Sequence, residues 1–249
     1  MHIPEHALDP TTCAVAGAIS AAAVGYALHR VRQEPIYRKL PLMTIVGASI
    51  FAGQMLNFPI SLASSGHFLG GALAGIMLGP WAGMLVMAAV VALQCFVLHD
   101  GGVSSLGANI LNMAVVGSLV ANRVYGRVTS FVAGRRGAMA GAAAGAWCSV
   151  MASALACSVE LSLGGGYAAA ATIVAMLSIH SLIAVGETVL TGLAVAAASA
   201  DVARCTWRTA AVGLTCIAIA AVTLSPFACR LPDGLETVIS AEITDAVHP

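Results

Sequence analysis

Apolar runs near residues 12–28, 40–58, 68–79, 80–98, 104–122, 137–160, 168–200 and 209–228 settle the fold class of this chain before any other feature is weighed. A helix crosses the hydrocarbon of a bilayer with about 20 mostly apolar residues. Most of the runs reach or approach that length; the third is short and ends at Gly79-Pro80. Of 249 residues 59% are apolar and 9% charged, with a mean hydropathy of +0.92, whereas about a quarter of the residues of a soluble domain are charged. The expected fold is therefore an all-α, polytopic helical membrane protein with about seven spans plus one C-terminal span. The corresponding division is a membrane bundle over 1–205 and a C-terminal span with its tail over 206–249.

The eleven Lys and Arg residues orient the bundle. With the N-terminus outside, alternation of the runs places Arg30, Arg32, Arg38 and Lys39 inside, then Arg123, Arg127, Arg135 and Arg136, then Arg204 and Arg208; Arg230 alone falls outside. That asymmetry matches the excess of basic residues on cytoplasmic loops, and it holds only if the short 68–79 run counts as a crossing. Residues 1–12 carry Glu5 and Asp9 but no Lys or Arg, unlike the basic start of a signal peptide, so the first residues are read as retained. In this topology residues 1–11, 59–67, 99–103, 161–167 and the C-terminal tail share the outer face.

Several function classes are disfavoured. A formal net charge of zero gives no electrostatic footprint for nucleic acid. The phosphate-cradling glycine loop followed by Lys and Ser or Thr is missing, so this chain does not hydrolyse ATP by that route. The seven cysteines are scattered without a CxxC and read as small apolar packing residues. The Ala14/Ala18/Ala22 ladder permits close helix approach, either within the bundle or as a docking face for a partner membrane subunit.

The chain begins Met1-His2. A terminal amine, the next amide nitrogen and the following imidazole can chelate one ion in fused rings, and a fourth nitrogen completes a planar set of the kind Ni(II) or Cu(II) prefers and Co(II) tolerates. His67, on the same face, is the leading donor for that position. Taken singly, His2 would be an interfacial residue of a loose terminus and His67 a loop histidine at a helix start; their shared face joins them.

Met1-His2-Ile3-Pro4-Glu5, Gly66-His67-Phe68-Leu69-Gly70-Gly71, Leu78-Gly79-Pro80-Trp81, Asp100-Gly101-Gly102, the Leu106 to Met113 segment and the His180 to Glu187 segment together resemble the CbiM/NikM family. The resemblance covers most of the chain. It implies the metal-specific S component of an energy-coupling factor importer for Ni(II) or Co(II), in a bacterial inner membrane, with Met1, His2 and His67 as ligands to the transported ion. It also implies a coupling membrane protein (T component) and ATPase subunits as partners, alongside membrane lipid, and no catalytic cofactor. Pro232-Asp233-Gly234-Leu235-Glu236 resembles the PDGLE motif of the small subunits that accompany these proteins, here fused; read alone, Pro-Asp-Gly is a turn.

One departure stands out, for the family commonly places an acidic residue and then glycine where this chain has Glu5-His6. His6 is either a further nitrogen donor or an exposed accessory histidine. His180 and Glu187 lie seven apart on one helix face, as functional intramembrane groups or as a packing pair. Asn109 and Asn112 follow the Asp100-Gly101-Gly102 turn, where they are expected to orient ligand imidazoles. His99, Asp100 and Glu160 are entry residues or solvated helix ends. Two rival functions remain: an ATP-independent channel or secondary carrier, favoured by the Gly79-Pro80 break, and an intramembrane metallohydrolase, for which the HExxH signature is missing.

Overall fold

The computed structural model describes residues 1–33, 35–60, 64–198, 205–229 and 231–247. Arg204 and Arg230, used above to orient the chain, lie outside the described residues. All eight apolar runs contain helix. They form α1 (Pro10–Arg32), α2 (Leu40–Gln54), α3 (Gly71–Leu78), α4 (Pro80–Leu93), α5 (Leu106–Asn109), α6 (Gly117–Phe131), α7 (Gly134–Gly164), α8 (Ala169–Ala198) and α9 (Trp207–Leu224), followed by α10 (Gly234–Val247) in the tail. π-helical turns extend α4 over Gln94–Leu98 and join α5 to α6 over Ile110–Val116. A two-stranded antiparallel ladder, β1 (Phe58–Pro59) with β2 (Ser65–Gly66), is the only sheet among the described residues.

Local chemistry sets the helix ends. Asp9 caps α1 by accepting hydrogen bonds from the Thr11 and Thr12 amides at 2.7 and 3.1 Å, with Pro10 in the first helical position. At the other end His29, Arg30 and Arg32 oppose the negative pole of the helix, and the Arg30 guanidinium lies 5.7 Å from the ring of Trp81 at the start of α4. The C-terminus of α1 and the N-terminus of α4 therefore share the end of the bundle that carries the basic residues. The opposite end gathers the five segments expected on one face. There the Asp9 amide donates to the Gly164 carbonyl at 2.7 Å, Gly102 to Ile3 at 2.9 Å, Ser65 to Pro232 at 2.8 Å and Cys229 to Asn57 at 2.8 Å.

Among the described residues, five helices are long and apolar enough to cross a membrane: α1, α4 with its π turn, α7, α8, and α9 with the short turn that follows it. The 68–79 run needs correction, because α3 has 8 residues and is only about 12 Å long. The outer part of this crossing is the extended segment 64–70, buried throughout. Irregular backbone survives at membrane depth only where protein satisfies its polar groups. Here Gln54 donates to the Leu69 carbonyl at 2.7 Å, and Glu187 accepts from the Leu69 and Gly70 amides at 2.9 and 3.0 Å.

The Ala14/Ala18/Ala22 ladder also resolves, since all three residues are exposed while Ala16, Ser20, Ala27 and Val31 turn inward. Close approach of α1 to the bundle instead uses Gly17 against Gly107: a Cβ on Gly107 would stand 2.4 Å from the Gly17 Cα. Ser20 Oγ donates to the Gly107 carbonyl at 2.6 Å just beyond. Gly107→Ala should force α1 outward and cost about 1–3 kcal/mol, which a lowered melting temperature of the purified protein in detergent would register; an unchanged melt would mean that this contact does not fix α1.

Candidate metal centre

The N-terminal five residues lie in a slot built by α4, α5 and the 99–105 turn. Asn109 clamps Ile3 from both sides, accepting from its amide at 2.7 Å and donating to its carbonyl at 3.2 Å, while Gly102 donates to the same carbonyl. The slot requires glycine. A Cβ on Gly101, whose φ is +89°, would meet Asn109 Nδ2 at 2.9 Å and the His2 Cβ at 3.2 Å, and one on Gly102 would meet the Glu5 amide nitrogen at 2.6 Å. Ile3 is fully buried and Met1 is 2% exposed, so the terminus is anchored by packing as well as by hydrogen bonds.

This anchoring carries the terminal ammonium inside. Its nitrogen lies 2.6 Å from His67 Nε2 and 3.0 Å from Asp233 Oδ2, with His67 Nε2 to Asp233 Oδ2 at 3.6 Å. His67 Nδ1 faces the Phe68 carbonyl at 3.0 Å, which assigns its proton to Nδ1 and leaves the Nε2 lone pair toward the amine. The His2 ring stacks on His67 with centroids 5.5 Å apart, and its Nδ1 faces Asp100 at 3.3 Å. His2 Nε2 and both polar atoms of the Gln94 side chain are buried with no hydrogen bond of good geometry, although Gln94 lies against the His2 ring. Among the described residues, no acceptor is placed on the His2 amide N–H.

Burial, then the Met1 ammonium, then His67 hold the His2 imidazole well below its usual pKa. It stays neutral through the physiological range, the form that ligates metal. Burial alone would raise the Asp233 carboxyl, but the Met1 ammonium and then His67 outweigh it and keep the group well below the usual carboxylate range. Asp233 is therefore ionised beside the amine. Among the described residues, no three His, Cys, Asp or Glu side chains form a metal cage; the donors that meet here include main-chain nitrogen.

Met1, His2 and His67 are thus brought together as expected. His6 is not among them. It is exposed, lines a surface hollow with Leu8, Cys13 and Ser104, and occupies the left-handed region at φ +63°. Histidine is one of the side chains that tolerate that conformation. Asn109 holds the Ile3 backbone in place of an imidazole, and Asn112 donates to Glu160 at 2.6 Å. Glu160 is 8% exposed, a buried partner and not a solvated helix end. His99 is exposed, whereas Asp100 serves His2.

His180 and Glu187, both 1% exposed, support different walls. His180 Nδ1 faces the Met176 carbonyl at 2.8 Å, and its ring lies behind Gly234 and within electrostatic reach of the Met1 amine and Asp233. Glu187 caps the loop that carries His67. The sequence set Asp233 in the PDGLE-like motif on the outer face but did not name it among the site residues; the structure brings it to the Met1 amine. Glu187→Ala should leave the Leu69 and Gly70 amides unpaired, cost about 1–3 kcal/mol and weaken any metal binding that depends on His67, measured by melting and by calorimetric titration with Ni(II); full retention of both would remove Glu187 from the support of the loop.

A multi-pass helical bundle that gathers an amine, stacked imidazoles and a carboxylate at one end has the donor chemistry of a transition-metal carrier. Residues 2–204 match the family described as the cobalt uptake substrate-specific transmembrane region, and the chain belongs to that CbiM family. It is 37% identical over 228 residues, 90% of its length, to a candidate fused nickel transport protein NikMN of Archaeoglobus fulgidus, covering 74% of that protein. It is 38% identical to the fused nickel transport protein NikMN of Rhodobacter capsulatus over 125 residues, 50% of this chain and 36% of that one. A crystal structure of a truncated transition metal transporter superposes with a TM-score of 0.72 at 31% identity, covering 79% of this chain and 97% of that one. The protein is accordingly a multi-pass transmembrane component of the cobalt-uptake family, a family of transporter subunits and not of enzymes.

Proposed function

We propose that the chain is the substrate-capturing subunit of an ATP-driven energy-coupling factor importer, taking Ni(II) or Co(II) at the outer face through the Met1 amine, the His2 amide nitrogen, His2 Nδ1 and His67 Nε2. The observation that carries this reading is the buried Met1 amine at 2.6 Å from His67 Nε2. Two cis donors about 2 Å from one ion stand about 2.8 Å apart, close to that separation. The His2 amide, without an acceptor, is open for deprotonation and ligation. Chelation turns the His2 ring about Cβ–Cγ, so that Nδ1 leaves Asp100 for the ion.

The basic residues at the opposite end support an outward-facing site. Residues 1–205 form the capturing bundle, and 206–249 a C-terminal unit in which α9 lies along α2 while its tail returns to the site. The exposed Ala14/Ala18/Ala22 face of α1 is the surface assigned to the coupling membrane subunit, because small side chains let another helix approach. The ATPase subunits supply the energy.

Blocking the amine, by one residue added before Met1 or by acetylation, should abolish tight Ni(II) and Co(II) binding; unchanged affinity on calorimetry would sink the chelate. Binding displaces protons from the ammonium and the His2 amide. Affinity should therefore rise with pH, and acid should release the ion. An ATP-independent channel or carrier is separated by metal uptake into proteoliposomes, where the chain alone should transport nothing and the chain with coupling and ATPase subunits should transport only with ATP. Uptake by the chain alone would establish the carrier.

A further inference from the structure

We infer that Asp233, in the C-terminal Pro232–Glu236 turn, is a further ligand of the captured ion, donating a carboxylate oxygen from one side of the nitrogen plane. This inference rests on the amine–imidazole chelate proposed above and extends it to a part of the chain beyond the matched family region, which ends at residue 204.

The geometry starts from three atoms. Met1 N, His67 Nε2 and Asp233 Oδ2 are separated by 2.6, 3.0 and 3.6 Å. A point about 2 Å from all three exists inside such a triangle, and about 2 Å is the length of bonds from first-row ions to nitrogen and oxygen donors. Two of the atoms belong to the nitrogen set. The third is a carboxylate oxygen within reach of the same ion.

The turn is built to hold that carboxylate in place. Asp233 Oδ1 accepts from the Glu236 amide at 2.8 Å and Glu236 Oε2 accepts from the Asp233 amide at 2.9 Å, a reciprocal cap on α10. One oxygen is thereby committed to the helix and the other is left for the site. Ser65, two residues before His67, binds the turn through its amide to Pro232 at 2.8 Å and through Oγ to Leu231 at 2.7 Å. Thr237 Oγ1 donates to Ser64 Oγ at 3.0 Å, and Leu235 and Val238 are 1% and 3% exposed. A Cβ on Gly234 would stand 2.5 Å from Ile179 Cγ2. Glycine at this position therefore lets the turn seat against α8 and brings Asp233 onto the His67 loop.

The chemistry is consistent with this placement. The proposed nitrogen set carries one negative charge, on the deprotonated His2 amide, against two positive charges on the ion. Asp233 neutralises the remainder in a site whose Met1, His2 and His67 are buried. When the ion is out, the same oxygen accepts a hydrogen bond from the Met1 ammonium, so the carboxylate is balanced in both states.

The test uses the untagged full-length chain loaded with Ni(II) and, separately, with Co(II), beside D233S and D233N. Serine and asparagine both retain helix-capping ability; size-exclusion chromatography and circular dichroism confirm that each variant is folded. Metal K-edge X-ray absorption reads the donor count, since a planar four-nitrogen complex shows a sharp pre-edge feature that a fifth donor suppresses. Wild type should lack the feature and show an oxygen donor. D233S should display it and bind at least about tenfold more weakly, and D233N, with a poorer oxygen donor, should fall between. A planar edge in wild type, or an edge in D233S identical to wild type whatever its affinity, would overturn Asp233 as a ligand. Tight binding after extension of Met1 would instead overturn the chelate itself.

Discussion

A full positive charge on the Met1 nitrogen, inside a residue 2% exposed to solvent, is the constraint around which the outer end of this bundle is organised. An isolated ammonium in that environment would be far too costly to bury, and it is stabilised by Asp233 on one side and His67 on the other. Each partner needs its own support. His67 sits on an extended segment at membrane depth, which only the Glu187 and Gln54 side chains and the returning C-terminal turn make tolerable. Asp233 sits on a turn whose position depends on Ser65 and on the packing of Gly234. The network is therefore cooperative, and its members span α2, α3, α5, α8 and both chain ends.

The same network explains why a transporter can place its binding site on irregular backbone. A short half-helix, α3, preceded by an extended stretch leaves main-chain groups that a full helix would have consumed. Gly101 and Gly102 admit the N-terminal residues against the 99–105 turn and Gly17 meets Gly107 between α1 and α5, while the π turns of Gln94–Leu98 and Ile110–Val116 carry the buried Gln94 and Asn112. Polar side chains in this region mostly hold backbone, with few of them touching one another.

Much of this was legible in the sequence. Long apolar runs announce helices because lipid allows little else, and the Arg and Lys positions order them, which is why the five outer segments could be grouped in advance. That Met1, His2 and His67 meet was legible, because the first two are adjacent in sequence and topology puts the third on the same face. The roles of Glu187 and Asn109 were not, since a buried carboxylate or amide looks the same whether it faces an ion or a peptide group. The PDGLE-like segment of Asp233 was legible on the outer face, but its contact with Met1 was not: nothing in the motif's spacing tells that 232 residues earlier a buried charge awaits the carboxylate. The 68–79 run misled in length alone, because hydropathy does not distinguish a buried extended segment from a helix.

The contact between Met1 and Asp233 joins positions near the two ends of the described chain, so the folded polypeptide is closed almost into a ring. Ring closure is entropically expensive for a long chain, and its cost grows only slowly with further length. A link across such a ring behaves like a reversible clasp: while it is fastened, the N-terminal strand and α10 share one fate, and opening either end exposes the other.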